Sequence, residues 1–180
     1  MRSIAVAVLA ASCIAAAPQK FGPDNLAPYI PTPQILVDAM LQYADVKAGD
    51  VVYDLGSGDG RIVITAAEKF GAHGVGVELD AELCRTAQRQ VVAKGLATRV
   101  SILQENALTV DISPATVVTM YLMTSSNERL RPNLEKYLRP GSRVVTTDYP
   151  MKGWTATKLK IVKTGSAEHR IYVYEIGHTK

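Results

Sequence analysis

Residues 51–64 read VVYDLGSGDGRIVI, which is an apolar run, a glycine-rich loop and a second apolar run. Gly56, Gly58 and Gly60 are spaced G-x-G-x-G in the loop, and Asp54 stands two positions before the first glycine. A short strand, a glycine turn and a helix in this order are typical of an open parallel sheet, in which ligands bind beyond the carboxyl ends of the strands. Glycines allow the backbone to approach such a ligand closely, and the helix N-terminus points towards it.

The loop also indicates which ligand to expect. A dinucleotide site needs G-x-G-x-x-G, with its third glycine at position 61, where this chain has Arg61. Asp54 and Asp59 would repel a pyrophosphate, whereas a sulfonium ligand with a free ammonium group tolerates these charges. Glu78 follows at the end of the next apolar run, where a carboxylate can accept both hydroxyls of a ribose. The pattern favours a cationic sulfonium ligand over NAD or a flavin, and a non-binding glycine turn is the remaining alternative.

The rest of the chain alternates between apolar runs and helical patterns. Thr32 and Pro33 are typical of an N-cap and first helical residue. We expect helices at 61–70, 80–94 and 127–138, and strands at 51–53, 74–77, 100–103, 116–123 and 143–147. Residues 158–162 and 171–176 have no helix between them and are predicted to pair as a hairpin, whereas residues 105–115 are too few for a full crossover helix. This order predicts a mainly parallel sheet with helices on both faces.

The N-terminal 20 residues have a different character. Arg2 is followed by an uncharged run at 4–17 that ends in three alanines, the layout of a secretory signal or membrane anchor. Fourteen uncharged residues are few for a membrane span, which needs about 20. We therefore expect residues 1–20 to be a signal or anchor and the protein to be membrane-associated or exported. A plain apolar helix is the alternative, and the protein is then cytoplasmic.

Composition excludes several classes of function. The chain has 20 Lys and Arg against 17 Asp and Glu, and this net charge of +3 is too small to imply a nucleic-acid binder by itself. Cys13 and Cys84 form no CxxC pair, and none of the three histidines is spaced against another. We therefore expect no zinc site of the ordinary kind.

Several short segments together narrow the family. They are residues 28–33 (PYIPTP), 52–64, 115–122 (ATVVTMYL), 130–132 (LRP) and 138–141 (LRPG). In these segments the chain resembles the class I S-adenosylmethionine-dependent methyltransferases. It is most similar to the small protein-lysine methyltransferases that act on the ATP synthase c subunit and the adenine nucleotide translocase. The resemblance implies a methyltransferase domain at 21–180 with a Rossmann-like, seven-stranded, mostly parallel sheet that ends in an antiparallel hairpin.

The resemblance also implies roles for individual residues around S-adenosyl-L-methionine. Asp54, Gly56, Ser57 and Gly58 form the loop at the methionine end, and Glu78 binds the ribose. Leu79 contacts the adenine, or is simply a core residue. Asn106 receives the adenine amino group, or is a turn residue after a strand. Tyr29 and Thr32 close over the methionine end, although Thr32 could also be no more than a helix cap.

Methyl transfer from a sulfonium is an in-line displacement, in which alignment of the acceptor can contribute ~7–11 kcal/mol. A lysine acceptor must arrive uncharged, so its reference pKa of ~10.4 has to be depressed, or its proton passed to water or a nearby oxygen. No catalytic base is therefore obligatory. Tyr121, at the end of the fourth strand, is the best candidate for positioning the acceptor, with a core tyrosine as the alternative. Asp148, Tyr149 and Trp154 are weaker candidates.

The resemblance predicts transfer of a methyl group to a protein lysine. The strand-four motif D/N-P-P-Y, which serves adenine-N6 and glutamine methylation, is replaced by residues 120–123 (MYLM). A small-molecule or RNA methyltransferase is the alternative enzyme, and a catalytically inactive cofactor-binding or scaffold protein is the alternative outside catalysis. The expected partner is a protein substrate, membrane-embedded if residues 1–20 are an anchor, whereas nucleic acid and metal are not expected.

Overall fold

The computed structural model describes residues 24–179. The predicted signal or anchor at residues 1–20 lies outside the described residues. Within residues 24–179, no helix has the length and apolar character needed to cross a membrane. The helices of this part are α1 Gln34–Tyr43, α2 Arg61–Phe70, α3 Ala81–Ala93 and α4 Thr124–Tyr137. The strands are β1 Val51–Leu55, β2 His73–Glu78, β3 Val100–Gln104, β4 Val117–Met120, β5 Arg143–Thr147, β6 Lys158–Thr164 and β7 Ala167–Glu175.

The strands form a seven-stranded sheet in the order β3-β2-β1-β4-β5-β7-β6. Neighbouring strands from β3 to β5 pair in parallel, whereas β7 is antiparallel to both β5 and β6. The strand order reverses between β1 and β4, which is where ligands dock in open α/β sheets. The predicted Rossmann-like fold with a C-terminal hairpin is confirmed.

Successive side chains of the strands point to opposite faces of the sheet, and both faces are buried. Val52 of β1 packs with α1 and α2, while Tyr53 and Leu55 pack on the opposite face with α4 and the segment at 105–115. Helix α3 lies beside α2, because Val91 contacts the cluster that contains Val63. Three helices therefore cover one face and α4 covers the other, as the alternation of elements predicts.

The structure corrects two local expectations. Thr32 does not cap α1: the helix begins at Gln34, and the carbonyl of Pro33 accepts the N–H groups of the first turn without a side-chain cap. The fourth strand ends at Met120 rather than at 123, and α4 begins at Thr124 rather than at 127. The pairing of β4 with β5 ends at Met120 and Thr146. Tyr121 and Leu122 therefore leave the sheet, and they line the cavity described below. Residues 105–115 contain no helix, as expected.

Candidate active site

The glycine loop between β1 and α2 has a left-handed backbone at each glycine, with φ of 80°, 55° and 80° at Gly56, Gly58 and Gly60. The N–H groups of Gly56 and Ser57 donate to the carbonyl of Val77, which ties the loop to β2. A Cβ on Gly58 would lie 2.4 Å from Cε2 of Tyr29. Glycine is therefore required at this position by both the backbone conformation and the neighbouring ring.

Ser57 helps to hold the glycine loop against β2. Its N–H is already bonded to β2, and its Oγ lies 2.7 Å from the place where a Cβ on Gly76 would stand. That Oγ is buried and has no hydrogen-bond partner among the described residues. The side chain therefore packs between the loop and β2, and a direct contact of Ser57 with a cofactor stays a prediction.

Glu78 is held rigidly at the end of β2 by backbone donors. Its Oε2 accepts the N–H of Gly58 at 2.8 Å, and its Oε1 accepts the N–H groups of Leu79 and Asp80 at 2.8 and 2.9 Å. A carboxylate has about four acceptor positions, so at least one remains for a ligand hydroxyl. The carboxylate therefore fits the ribose position that the sequence predicts for it.

Asp54 lies at the floor of the cleft with 3% of its surface exposed. Its Oδ1 accepts a hydrogen bond from the Thr119 hydroxyl at 2.7 Å. Burial raises the pKa of this carboxyl to about 7, and the negative charges of Glu78 and Asp59 act in the same direction. A cationic ligand beside Asp54 would stabilise its ionised form, which suits a sulfonium compound with an ammonium group.

An N-terminal arm, residues 24–32, covers this cleft. Arg61 donates through Nη1 to the carbonyl of Thr32 at 2.7 Å and grips the carboxylate of Asp59 with Nε and Nη2 at 2.9 and 2.6 Å. At the other end of the arm, the Ser126 hydroxyl donates to the carbonyl of Leu26. The arm is thus fastened to both the glycine loop and the start of α4.

The arm, the loop and the end of β2 enclose a cavity of about 550 Å³. Nine of the ten predicted site residues line it: Tyr29, Thr32, Asp54, Gly56, Ser57, Gly58, Glu78, Leu79 and Tyr121. Leu79 is 45% exposed and so is not a core residue.

Asn106 is the predicted residue that the structure does not bring to the cavity wall, although its neighbours Glu105 and Ala107 line it. Its Oδ1 accepts the N–H of Leu108 at 2.9 Å, which is the turn that the alternative interpretation describes. Contact of Asn106 with an adenine stays a prediction.

The acceptor candidates separate into two groups. Tyr121 lines the cavity, and its hydroxyl donates at 3.0 Å to Oδ2 of Asp148, which lies outside the cavity lining. Tyr149 is 40% exposed outside the cavity lining. Trp154 packs edge-on against Tyr174 and donates from its indole to a carboxylate on α4, so it serves packing.

Sequence reasoning misses several residues that shape this site. In the sequence, Arg61 is notable only because it replaces the third glycine of a dinucleotide site. In the structure, its side chain joins the glycine loop to the arm. Ser126 and His169 carry no motif, and they reach the site through contacts with residues 100 and 21 positions away. Thr119 is the one residue of this group that the sequence could have indicated, because it is a polar residue within the otherwise apolar strand β4. Its hydroxyl donates to Asp54.

Comparison with known proteins agrees with this geometry. The family described as ANTKMT methyltransferase domain matches residues 54–158. A protein-lysine N-methyltransferase from Saccharolobus islandicus is 47% identical over 154 residues, which are 85% of this chain and 96% of the relative. The adenine nucleotide translocase lysine N-methyltransferase of Mus musculus is 27% identical over 83% of this chain, and the match spans 63% of its length.

Among solved structures, an RNA methyltransferase from Salinibacter ruber in complex with S-adenosyl-L-homocysteine superposes with a TM-score of 0.76. It is 45% identical, and the match covers 82% of this chain and 94% of that one. That bound product is what remains of S-adenosylmethionine after methyl transfer, and the cavity here presents the carboxylates and glycine loop that fit it. The chain belongs to the family of the ANTKMT methyltransferase domain and is an S-adenosylmethionine-dependent methyltransferase.

Proposed function

We propose that this enzyme transfers the methyl group of S-adenosylmethionine to the side-chain amine of a protein lysine. The observation that carries the proposal is the 47% identity to a protein-lysine N-methyltransferase over 96% of that relative's length. The match includes the loop, the end of β2 and the strands that bound the cavity. The mouse relative, which is named as a lysine N-methyltransferase of the adenine nucleotide translocase, supports the same acceptor chemistry.

The charge of the cavity supports a cationic acceptor. Six carboxylic residues line it, and Arg61 is the only basic residue among the described lining residues. The six are Asp24, Asp54, Asp59, Glu78, Asp80 and Glu105. The whole chain carries a net charge of +3, so the negative potential is local to the cleft. Such a cleft attracts a lysine side chain and repels a polyanion.

In the proposed reaction, the lysine ammonium first releases a proton to water, and the uncharged nitrogen then attacks the methyl carbon in line with the departing sulfur. The new N–C bond forms as the C–S bond breaks, the electron pair of that bond goes to sulfur, and the amine nitrogen becomes cationic. Because the methyl group is already activated, the enzyme's part is to align the amine and exclude water. Glu78 and the loop hold the cofactor, the arm covers it, and Tyr121 contacts the acceptor.

RNA is the second candidate substrate, because the 45% identical protein from Salinibacter ruber is described as an RNA methyltransferase. RNA recognition rests on basic surfaces that neutralise phosphates. The acidic lining of the cavity argues against RNA as the acceptor. A scaffold that binds the cofactor without turnover is the third candidate.

One labelling experiment distinguishes the three candidates. Full-length protein is incubated with tritiated S-adenosylmethionine and, in parallel, with a protein extract or with total RNA. We expect a discrete labelled protein band and methyl-lysine after acid hydrolysis, with no label in RNA. The Glu78→Ala variant is the control and should lose the label. Label confined to RNA would contradict the proposal, and cofactor binding without any transfer would favour the scaffold.

We further propose that residues 1–20 hold the enzyme at a membrane beside its substrate. The uncharged run at 4–17 supports this placement. Fractionation of the tagged full-length chain tests it: recovery with membranes at its full length is expected, and a fully soluble, untrimmed protein would contradict it.

A further inference from the structure

A chain of hydrogen-bonded side chains starts at the cavity wall and leads away from it. The Tyr121 hydroxyl lies 3.0 Å from Oδ2 of Asp148, and the same oxygen lies 2.7 Å from Nδ1 of His169. Nε2 of His169 in turn lies 2.8 Å from the hydroxyl of Thr164. Tyr121 follows β4, Asp148 follows β5, and the other two residues belong to the β6–β7 hairpin. The hairpin thus reaches the cavity through Tyr121.

The direction of these hydrogen bonds follows from the state of Asp148. Although burial opposes it, the hydrogen bonds from His169, from the Arg170 N–H and from Tyr121 hold the pKa of this carboxyl below its ordinary value. An ionised carboxylate accepts and cannot donate. The Tyr121 hydroxyl must therefore donate its single hydrogen to Asp148.

Tyr121 is itself a poor base. Burial, together with the hydrogen bond to Asp148, raises its pKa to about 12, so the phenol is neutral over the working range of most enzymes. Tyr121 lines the cavity, and because its single hydrogen is engaged with Asp148, its phenolic oxygen can only accept a further hydrogen bond. Any group that it contacts there must be a donor, and an amine N–H is such a donor.

We propose that the Tyr121 oxygen accepts a hydrogen bond from the incoming amine, and that Asp148, braced by His169, is a positioning residue that sets this polarity. This inference rests on the proposed lysine methylation. An N–H bond directed at Tyr121 leaves the nitrogen lone pair free to face the methyl carbon. The surplus proton of the product amine then leaves to water, and Tyr121 keeps its own proton throughout.

Asp148 also has a structural role, which uses a different carboxylate oxygen from its positioning role. Its Oδ1 accepts the N–H of Arg170 at 2.8 Å, and its own N–H donates to the Arg170 carbonyl at 2.7 Å. These bonds fasten β7 to the end of β5. Oδ2 alone contacts Tyr121 and His169. A substitution that changes one oxygen can therefore separate the two roles.

Asp148→Asn is that substitution. Asp148 has φ of 62°, a left-handed conformation that asparagine also tolerates. The Arg170 N–H retains the amide oxygen as its acceptor, so the amide nitrogen takes the place of Oδ2. It then donates to the Tyr121 oxygen, which frees the phenolic hydrogen to point into the cavity and compete for the amine lone pair.

The test uses full-length protein, tritiated S-adenosylmethionine, and poly-L-lysine or the labelled extract protein as acceptor. For Asp148→Asn and Tyr121→Phe we expect kcat to fall about tenfold to hundredfold, the range of one hydrogen bond to a charged group. Cofactor affinity and melting temperature should stay at the wild-type values. His169→Asn, which keeps a donor near the Nδ1 position, should retain more kcat than His169→Leu.

Each outcome supports or overturns the positioning role. Wild-type kcat in Asp148→Asn would overturn it and leave lysine methylation standing. A loss of kcat accompanied by weaker cofactor binding and a lower melting temperature would show that the network only stabilises the position of the hairpin. That result would also overturn the positioning role. If the wild type binds the cofactor but methylates neither poly-L-lysine nor any extract protein, the proposed function itself fails, and this inference with it.

Discussion

The two halves of the sheet build their parts of the site in different ways. In the half formed by β1–β3, the loop and its carboxylate partner are close in sequence, since Gly58 and Glu78 are 20 residues apart. In the half formed by β4–β7, Tyr121 and Asp148 are 27 residues apart, and His169 lies a further 21 residues along the chain. The contact in the first half joins two motif positions that can be recognised by their spacing, whereas the contacts among Tyr121, Asp148 and His169 in the second half follow no such spacing.

The difference agrees with the proposal that the first half binds the cofactor and the second half contacts the acceptor. A cofactor presents the same groups to every enzyme that uses it, so glycines and carboxylates recur at fixed spacings. An acceptor differs from one enzyme to another, and its contacts come from the ends of several strands. Substitutions in the first half should therefore change cofactor affinity, and substitutions in the second half should change kcat.

The largest effect on cofactor affinity is expected from Gly58→Ala. The new Cβ would meet the Tyr29 ring at 2.4 Å, and φ of 55° is unfavourable for alanine. Displacement of the loop or the arm should weaken binding of S-adenosylmethionine by roughly a hundredfold, given ~1–3 kcal/mol for overpacking and ~1–2 kcal/mol for the backbone. Isothermal titration calorimetry measures this.

Gly95→Ala is the matched control for that experiment. Gly95 has a similar φ of 67°, but a Cβ there meets nothing within 4 Å. It should lose some stability and keep its cofactor affinity. Equal losses of affinity in the two variants would show that the contact with Tyr29 is irrelevant.

The next effect is a dependence of cofactor affinity on pH that comes from Asp54. Its pKa of about 7 in the free enzyme should fall when the cationic cofactor binds, because the cofactor favours the ionised carboxylate. Affinity should therefore rise from pH 5.5 towards 7.5, by at most about tenfold per pH unit below 7, and then level off. Asp54→Asn should bind weakly with a flat profile, and a sloping profile in that variant would assign the titration to another group.

Asp54 should also lower the stability of the ligand-free protein. Its folded pKa is raised from 3.8 to about 7, so the folded state binds the extra proton between these values. Loss of this proton lowers the free energy of unfolding as pH rises from 4 to 7, and the lowering is complete above pH 7. Asp54→Asn should therefore be more stable than wild type at pH 8, by up to roughly 4 kcal/mol at ~1.4 kcal/mol for each pH unit between the two pKa values, and similar to it at pH 4. Urea unfolding at both pH values measures this, and equal stability at pH 8 would contradict it.

The smallest effect is expected from the fastening of the arm. Arg61 joins Asp59 to the carbonyl of Thr32 through its planar fork, which a lysine cannot reproduce. Arg61→Lys should weaken cofactor affinity by about threefold to tenfold, the value of about one hydrogen bond. Arg85→Lys is the control, because Arg85 grips Glu82 on the exposed face of α3. A similar loss in both variants would argue against a role for the arm.

Particular elements show how far the sequence can be read. Helix α2 begins at Arg61 and α3 is capped by Asp80, both as expected, because a glycine turn and a capping carboxylate are local signals. Thr32 is typical of a cap in sequence, yet its carbonyl is held by Arg61 and α1 begins after Pro33. The predicted end of β4 is wrong because its apolar residues continue past Met120, where the sheet no longer offers a partner.

The sequence by itself determined the α/β class, which follows from the order of elements along the chain. It also determined the glycine loop, the carboxylate at the end of β2 and the cofactor, since these depend on spacing within one βαβ unit. Only the tertiary structure decided which residues stand together at the proposed acceptor site. The pairing of β7 with β5 brings His169 to Asp148 and Asp148 to Tyr121. It also decided that the arm lies over the loop, through Arg61 and Ser126. Contacts of this kind join distant parts of the chain, and no local spacing records them.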